Sequence, residues 1–262
     1  MRRLAQTFER ARNEGRAALI GYLPAGFPDR ERAKSIIAAM VEGGVDIIEV
    51  GLPYSDPIMD GPIIQRAAEQ ALGNGFHIPD VFDAVASCKV PALVMSYWNP
   101  IARFGVSKFT EELKSATGVG VITPDLTVEE SVDWILATEK TDLERVYVVA
   151  PNTSDERLTQ VAEKCTGFVY AASLMGVTGA RSELSKSAKD LVGRLRRVTK
   201  LPVCVGLGIS SREQAREVSA YADGVIVGSA FIKLVLEAAD YESALTNVRS
   251  LARELALGVR GQ

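Results

Sequence analysis

The chain has 262 residues, 47% of them apolar and 24% charged, which excludes a wholly disordered or collagen-like polymer. Lys and Arg number 30 and Asp and Glu 33, so the net charge is −3, the wrong sign for a dedicated nucleic-acid binder. No apolar run approaches the ~18 residues of a membrane span, and the basic start Met1-Arg2-Arg3 leads into no apolar stretch, so neither a membrane anchor nor a secretory leader is expected.

Leu4, Phe8 and Ala11 are spaced along one face of an N-terminal helix, placed to plug the bottom of a barrel. A strand at 17–23 follows, then a helix at 28–43 with Ile36, Ile37, Met40 and Val41 on its apolar face. The alternation continues with strand 45–50 and helix 63–72, strand 92–97 and helix 106–116, and strand 119–122 and helix 127–138. Strand 146–150 precedes helix 155–164, and strand 168–173 precedes helix 185–198. The last pairs are 203–207 with 211–221 and 225–227 with 230–237, before a C-terminal helix at 241–257. These are about eight strand–helix units. Runs of Val and Ile without alternation suit parallel strands covered by helices. No Ser/Gly/Pro-rich linker divides the chain. The prediction is an α/β fold, one domain over 1–262: a single (β/α)8 TIM barrel with extra N-terminal and C-terminal helices. A doubly wound open sheet is the alternative.

Cys88, Cys165 and Cys204 are odd in number and far apart, which suggests free thiols in a reducing cytoplasm and no metal site. His77 is the single histidine and reads as surface or structural. Arg194, Arg196, Arg197 and Lys200 end a helical pattern, where cations complement the helix dipole. No lysine ends an apolar strand to suggest a Schiff base, and Lys233 falls inside a helix.

Barrel chemistry belongs at the carboxyl ends of the strands. In Asp46-Ile47-Ile48-Glu49-Val50-Gly51, alternation puts Ile47 and Glu49 on one side, so an inward Ile47 carries Glu49 into the interior. Desolvation there would raise its pKa, which suits a general acid or base. Satisfaction by a neighbouring hydroxyl is the structural alternative. The following loop holds Asp56 and Asp60 among prolines, and Asp60 falls eleven residues after Glu49, far enough to fold back over the strand end. Two carboxyls at one apolar cavity can divide acid and base roles. Asp56 also reads as an Asp-Pro turn former and Asp60 as a cap on the helix after Gly61. Three glycine motifs follow late strands: Gly176-Val177-Thr178-Gly179, Gly206-Leu207-Gly208-Ile209-Ser210 and Gly228-Ser229-Ala230. Together they suggest a phosphorylated substrate held by backbone N–H groups.

The run Ile48-Glu49-Val50-Gly51-Leu52-Pro53-Tyr54-Ser55-Asp56-Pro57, with Asp60-Gly61-Pro62-Ile63-Ile64-Gln65, closely resembles the signature of the tryptophan synthase alpha subunit family. The glycine motifs occur in the family order, and the resemblance covers nearly the whole chain. It implies cleavage of indole-3-glycerol phosphate to indole and glyceraldehyde 3-phosphate, without a cofactor or metal of its own. Glu49 is then implied to shuttle protons, and Asp60 to accept from the indole N–H and stabilise charge as C3 is protonated. Gly179, Gly208, Gly228 and Ser229 are implied to bind phosphate. Tyr22, Ile64 and Leu207 would line the indole pocket, with Tyr170 close to Glu49 and Thr178 meeting Asp60 on loop closure. Leu174-Met175 stands where many relatives have an arginine, and Tyr22 where phenylalanine is common. Tyr97-Trp98-Asn99-Pro100 and Asp125 resemble the family's partner-facing region. The implied partner is a pyridoxal-phosphate beta subunit in a cytoplasmic alpha2-beta2 heterotetramer that makes tryptophan. Two alternatives stand beside this: a catalytically weak regulatory subunit, and a sugar-phosphate isomerase barrel with aspartates at an early and a mid-chain strand end.

Overall fold

The computed structural model describes residues 3–172, 181–206 and 208–262. Among them, eight strands close into a parallel barrel in chain order: β1 (Ala18–Pro24), β2 (Ile47–Gly51), β3 (Ala92–Met95), β4 (Gly120–Thr123), β5 (Glu144–Val149), β6 (Val169–Ala172), β7 (Val203–Gly206) and β8 (Gly224–Val227). Closure is made by β1 against β8, from Ala18 opposite Gly224 to Gly21 opposite Val227. The open-sheet alternative is therefore overturned: neither β1 nor β8 is left with a free edge.

The strands are buried on both sides, as their unbroken Val and Ile runs require. Ile20, Ile47, Leu93, Ile122, Val146, Cys204 and Ile226 point inward and fill the barrel. The helix Arg3–Asn13 packs Leu4, Phe8 and Ala11 against this layer. Phe8 meets Phe168 edge-on with ring centroids 5.9 Å apart, so the helix plugs the barrel as its spacing predicts. Outward residues such as Leu19, Leu23 and Val50 pack with Ile36, Ile37 and Met40 in a second apolar layer under the helices.

Helix starts follow local chemistry. Asp29, Ser154, Ser211 and Asp240 each cap a helix by accepting from the N–H three residues on. Two short helices, Pro79–Ala86 and Trp98–Phe104, were not anticipated from the periodicity. The second cuts strand 92–97 short at Met95: Tyr97 becomes its N-cap, and the Trp98 N–H is held by the Asp125 carboxylate at 2.8 Å. The helix expected at 127–138 is Val132–Thr141. Glu129 pairs with Arg157 across the loops, 2.7 Å from Nη2. The helix expected at 185–198 is Arg181–Leu195, and Asp155–Lys164 falls where its pattern places it.

Candidate active site

The inward period-two row that fills the barrel continues upward into polar side chains. In β1 it runs Ala18, Ile20, Tyr22, and in β2 it runs Ile47, Glu49. Tyr22 and Glu49 are register partners. Above them lies a cavity of about 580 Å3 at the carboxyl ends of the strands. Ile64, Met95, Val148 and Ile226 give it apolar walls; Glu49 and Asp60 bring carboxyls; Gly208, Gly228 and Ser229 stand at its rim.

Glu49 is 1% exposed, and among the described residues neither of its carboxyl oxygens has a hydrogen-bond partner. The structural alternative, a carboxyl satisfied by a nearby hydroxyl, is thus absent among those residues. Burial alone pushes its pKa up to about 8. Asp60 is also raised by burial, and hydrogen bonding from Tyr97 opposes that rise. The two acids therefore differ in kind: burial alone acts on Glu49, whereas on Asp60 an opposing hydrogen bond tempers the effect of burial.

Two aromatic hydroxyls border Glu49. Tyr22 and Tyr170 titrate well above the usual phenol range, first through burial and then through neighbouring carboxyls. Glycines make room for both. A Cβ on Gly51 would stand 2.3 Å from the Tyr22 hydroxyl, and one on Gly206 would stand 2.6 Å from that of Tyr170. Beside Tyr22, Gly228 caps the helix Ser229–Glu237 with no side-chain hydrogen bond, and Gly228 and Ser229 line the cavity at this helix N-terminus, where backbone N–H groups suit an anion. Gly208 has φ +63°, a conformation that glycine adopts without strain.

One cavity thus gathers Tyr22, Glu49, Asp60, Ile64, Tyr170, Gly208, Gly228 and Ser229. Thr178, Gly179 and Leu207, with Leu174-Met175, lie outside the described residues. Asp60 does not cap the next helix; that position is Gly61, without a side-chain bond, and the Asp60 carbonyl instead accepts from Gln65 at 2.8 Å. Asp56 is exposed and takes a 2.5 Å hydrogen bond from Ser55, as a turn residue would. Asp125 is occupied at the Trp98 N–H and does not line the cavity, and β1 ends in Tyr22-Leu23-Pro24. The two strand-end aspartates of an isomerase are therefore missing from the cavity among the described residues. His77 is exposed, Cys165 and Cys204 are buried free thiols, and Cys88 is half-buried. Arg194 and Arg196 are engaged with Asp155 and Asp223, so the basic cluster braces neighbouring loops.

Sequence reasoning missed Tyr97 as a brace on the loop that carries Asp60. Its hydroxyl accepts from the Met59 N–H at 2.9 Å. The inward period of β3, Leu93 then Met95, continues to Tyr97 and was the available signal.

A closed parallel barrel with two desolvated carboxyls and a glycine rim at the strand ends defines an acid–base enzyme of the (β/α)8 class. Residues 8–260 match the family described as Tryptophan synthase alpha chain. The tryptophan synthase alpha chain of Streptomyces avermitilis is 54% identical, over 98% of this chain and 95% of that one. That of Thermobifida fusca is 53% identical, over 98% and 97%. Among solved structures, Mycobacterium tuberculosis tryptophan synthase superposes with a TM-score of 0.92 at 49% identity, over 99% of this chain and 98% of that one. The alpha subunit from Legionella pneumophila gives 0.88 at 33%, over 98% of each. The chain belongs to the tryptophan synthase alpha chain family.

Proposed function

We propose that this chain cleaves indole-3-glycerol phosphate to indole and glyceraldehyde 3-phosphate, a retro-aldol step of tryptophan biosynthesis. The observation that carries the reading is the pair of unlike carboxyls, Glu49 and Asp60, in one apolar cavity. Breaking the bond between indole C3 and the glycerol chain needs a proton on C3, so that the ring can take up the bonding electrons. It also needs a base for the hydroxyl that becomes the aldehyde. Asp60, as carboxylate, accepts from the indole N–H and stabilises the positive charge that develops on the protonated ring. Glu49, protonated at neutral pH with a pKa of about 8, gives its proton to C3 and then, as carboxylate, takes the hydroxyl proton as the carbon–carbon bond breaks. Ile64 and Tyr22 enclose the ring, Tyr170 flanks Glu49, and the phosphate sits on the backbone N–H groups of Gly208, Gly228 and Ser229. From the family resemblance, Thr178, Gly179 and Leu207 complete the site.

The partner is a pyridoxal-phosphate beta subunit in a cytoplasmic alpha2-beta2 assembly. Candidates for the face that meets it are Ile58 on the cavity rim and, on the helix Val132–Thr141, Val132 and Leu136, which are 77%, 63% and 61% exposed. Among the described residues no helix is long and apolar enough to cross a membrane. The whole chain acts as one domain. No observation favours the regulatory or isomerase alternatives.

The test is indole release from indole-3-glycerol phosphate, with and without a cognate beta subunit, by the wild-type chain, Glu49→Gln and Asp60→Asn. Each substitution is expected to remove most turnover while the fold persists. Near-wild-type rates in either variant refute the role assigned to that residue, and no release by the wild type under both conditions refutes the lyase reading.

A further inference from the structure

We propose that Arg194 is a positioning residue for the lyase site: its guanidinium holds the loop after β5 in place as the cavity wall opposite Tyr22. The proposal deepens the lyase reading and rests on it for the identity of the ring that meets this wall. Arg194 lies near the end of the helix Arg181–Leu195 and does not itself line the cavity. All three of its guanidinium nitrogens reach one loop. Nη1 donates to the Pro151 carbonyl at 3.0 Å, Nη2 to the Thr153 carbonyl, and Nε to the Asp155 carboxylate at 2.6 Å. A planar fork with fixed donor directions suits this task, because three acceptors on one segment fix its orientation as well as its position.

The inner side of that loop is cavity wall. Val148, Ala150 and Thr153 line the cavity there. Val149 ends β5, so Ala150 and Thr153 stand beyond the strand ladder, ahead of Ser154, which caps the next helix. Two bonds close the turn on itself: the Thr153 N–H donates to the Ala150 carbonyl at 2.9 Å, and the Ala150 N–H to the Thr153 hydroxyl at 3.1 Å. The carbonyls of Pro151 and Thr153 are then taken up from outside by Arg194. β5 stands opposite β1 in the closed ring of eight strands. An indole ring enclosed by Tyr22 and Ile64 on one side therefore meets Val148, Ala150 and Thr153 on the other. These wall groups touch the ring and not the bond that breaks, so displacing them weakens substrate and transition state alike.

The experiment compares wild type, Arg194→Met, Arg194→Lys and Arg197→Met in steady-state indole release from indole-3-glycerol phosphate, alongside hydrogen exchange of the Ala150 and Thr153 amides. Arg197 reaches the same Asp155 carboxylate at 3.8 Å, so its loss controls for charge. In Arg194→Met, KM should rise about ten-fold with kcat within about two-fold of wild type, and both amides should exchange at least about ten-fold faster. Arg194→Lys, a point charge that cannot serve three acceptors at once, should fall between the two. Arg197→Met should stay near wild type in every readout. An unmoved KM in Arg194→Met overturns the proposal, and so does a fall in kcat alone, which a loss of folded enzyme would give. An equal rise of KM in Arg197→Met overturns it too, because charge would then be the cause. With an inactive wild type the lyase reading falls, and exchange decides the clamp by itself: faster exchange in Arg194→Met upholds it, and equal exchange overturns it.

Discussion

Replacing Glu49 with glutamine keeps the shape of the side chain and removes its titration, and the structure sets the size of the resulting change in stability. The Glu49 carboxyl is fully buried and has a pKa of about 8, against 4.5 when solvated. Below pH 4.5 the group is neutral in both folded and unfolded chains and contributes no pH dependence. Between the two values the unfolded chain ionises while the folded chain holds its proton. The folded state therefore loses about 1.4 kcal/mol for each pH unit climbed. The loss reaches roughly 3 kcal/mol at pH 7 and roughly 5 kcal/mol at pH 8, where it levels off. Against a total stability of about 5 to 15 kcal/mol that is a large fraction. Glu49→Gln escapes it. Urea denaturation of both proteins from pH 5 to pH 8 should show the variant gaining on the wild type steadily across the range. A difference that stays constant with pH would refute the argument, because Glu49 would then not be retaining its proton inside the barrel.

Two further substitutions address the cavity and the partner face. Gly206→Ala puts a methyl group 2.6 Å from the Tyr170 hydroxyl, so the ring must move. Stability should fall by about 1 to 3 kcal/mol in urea denaturation, with weaker saturation by indole-3-glycerol phosphate; unchanged values for both would show that Tyr170 has room elsewhere. Leu136→Asp charges a side chain that is 61% exposed and away from the cavity. Its stability should stay within about 0.5 kcal/mol of wild type, while titration calorimetry with a beta subunit should show weaker association; equal affinity would place the contact elsewhere.

The parts of the site that were legible in the sequence are those set by short-range periodicity. Glu49 could be turned inward because Ile47, two residues before it, is plainly a core residue, and the barrel shows both facing the same interior. The N-terminal plug was readable for the same reason, from the helical spacing of Leu4, Phe8 and Ala11. Asp60 was harder. Its competing reading as a helix cap is locally sound, and only the folding back of the loop over β2 separates the two. Tyr97 escaped because its role comes from a long-range contact with Met59, and because the stretch 92–97 reads as one strand while the structure ends it at Met95 and starts a helix at Trp98. The helix Pro79–Ala86 was hidden likewise, with a short apolar face buried through Val81, Phe82 and Val85. Propensity over so few residues is a weak guide when neighbouring elements decide the outcome.

Barrel closure also sets an order of events during synthesis. β1 lies near the start of the chain, yet its second neighbour is β8, and Ala18 must wait for Gly224. The plug waits as well, since Phe8 finds Phe168 only after most of the polypeptide has left the ribosome. At about 5 to 20 residues per second, a nascent chain carries an open β1 edge and an uncovered apolar helix for about ten seconds or longer. Contacts between residues so far apart in sequence slow folding, and an unpaired strand edge invites pairing with other chains. Expression yield should therefore respond to chaperone supply and translation speed more than the stability of the finished barrel would suggest.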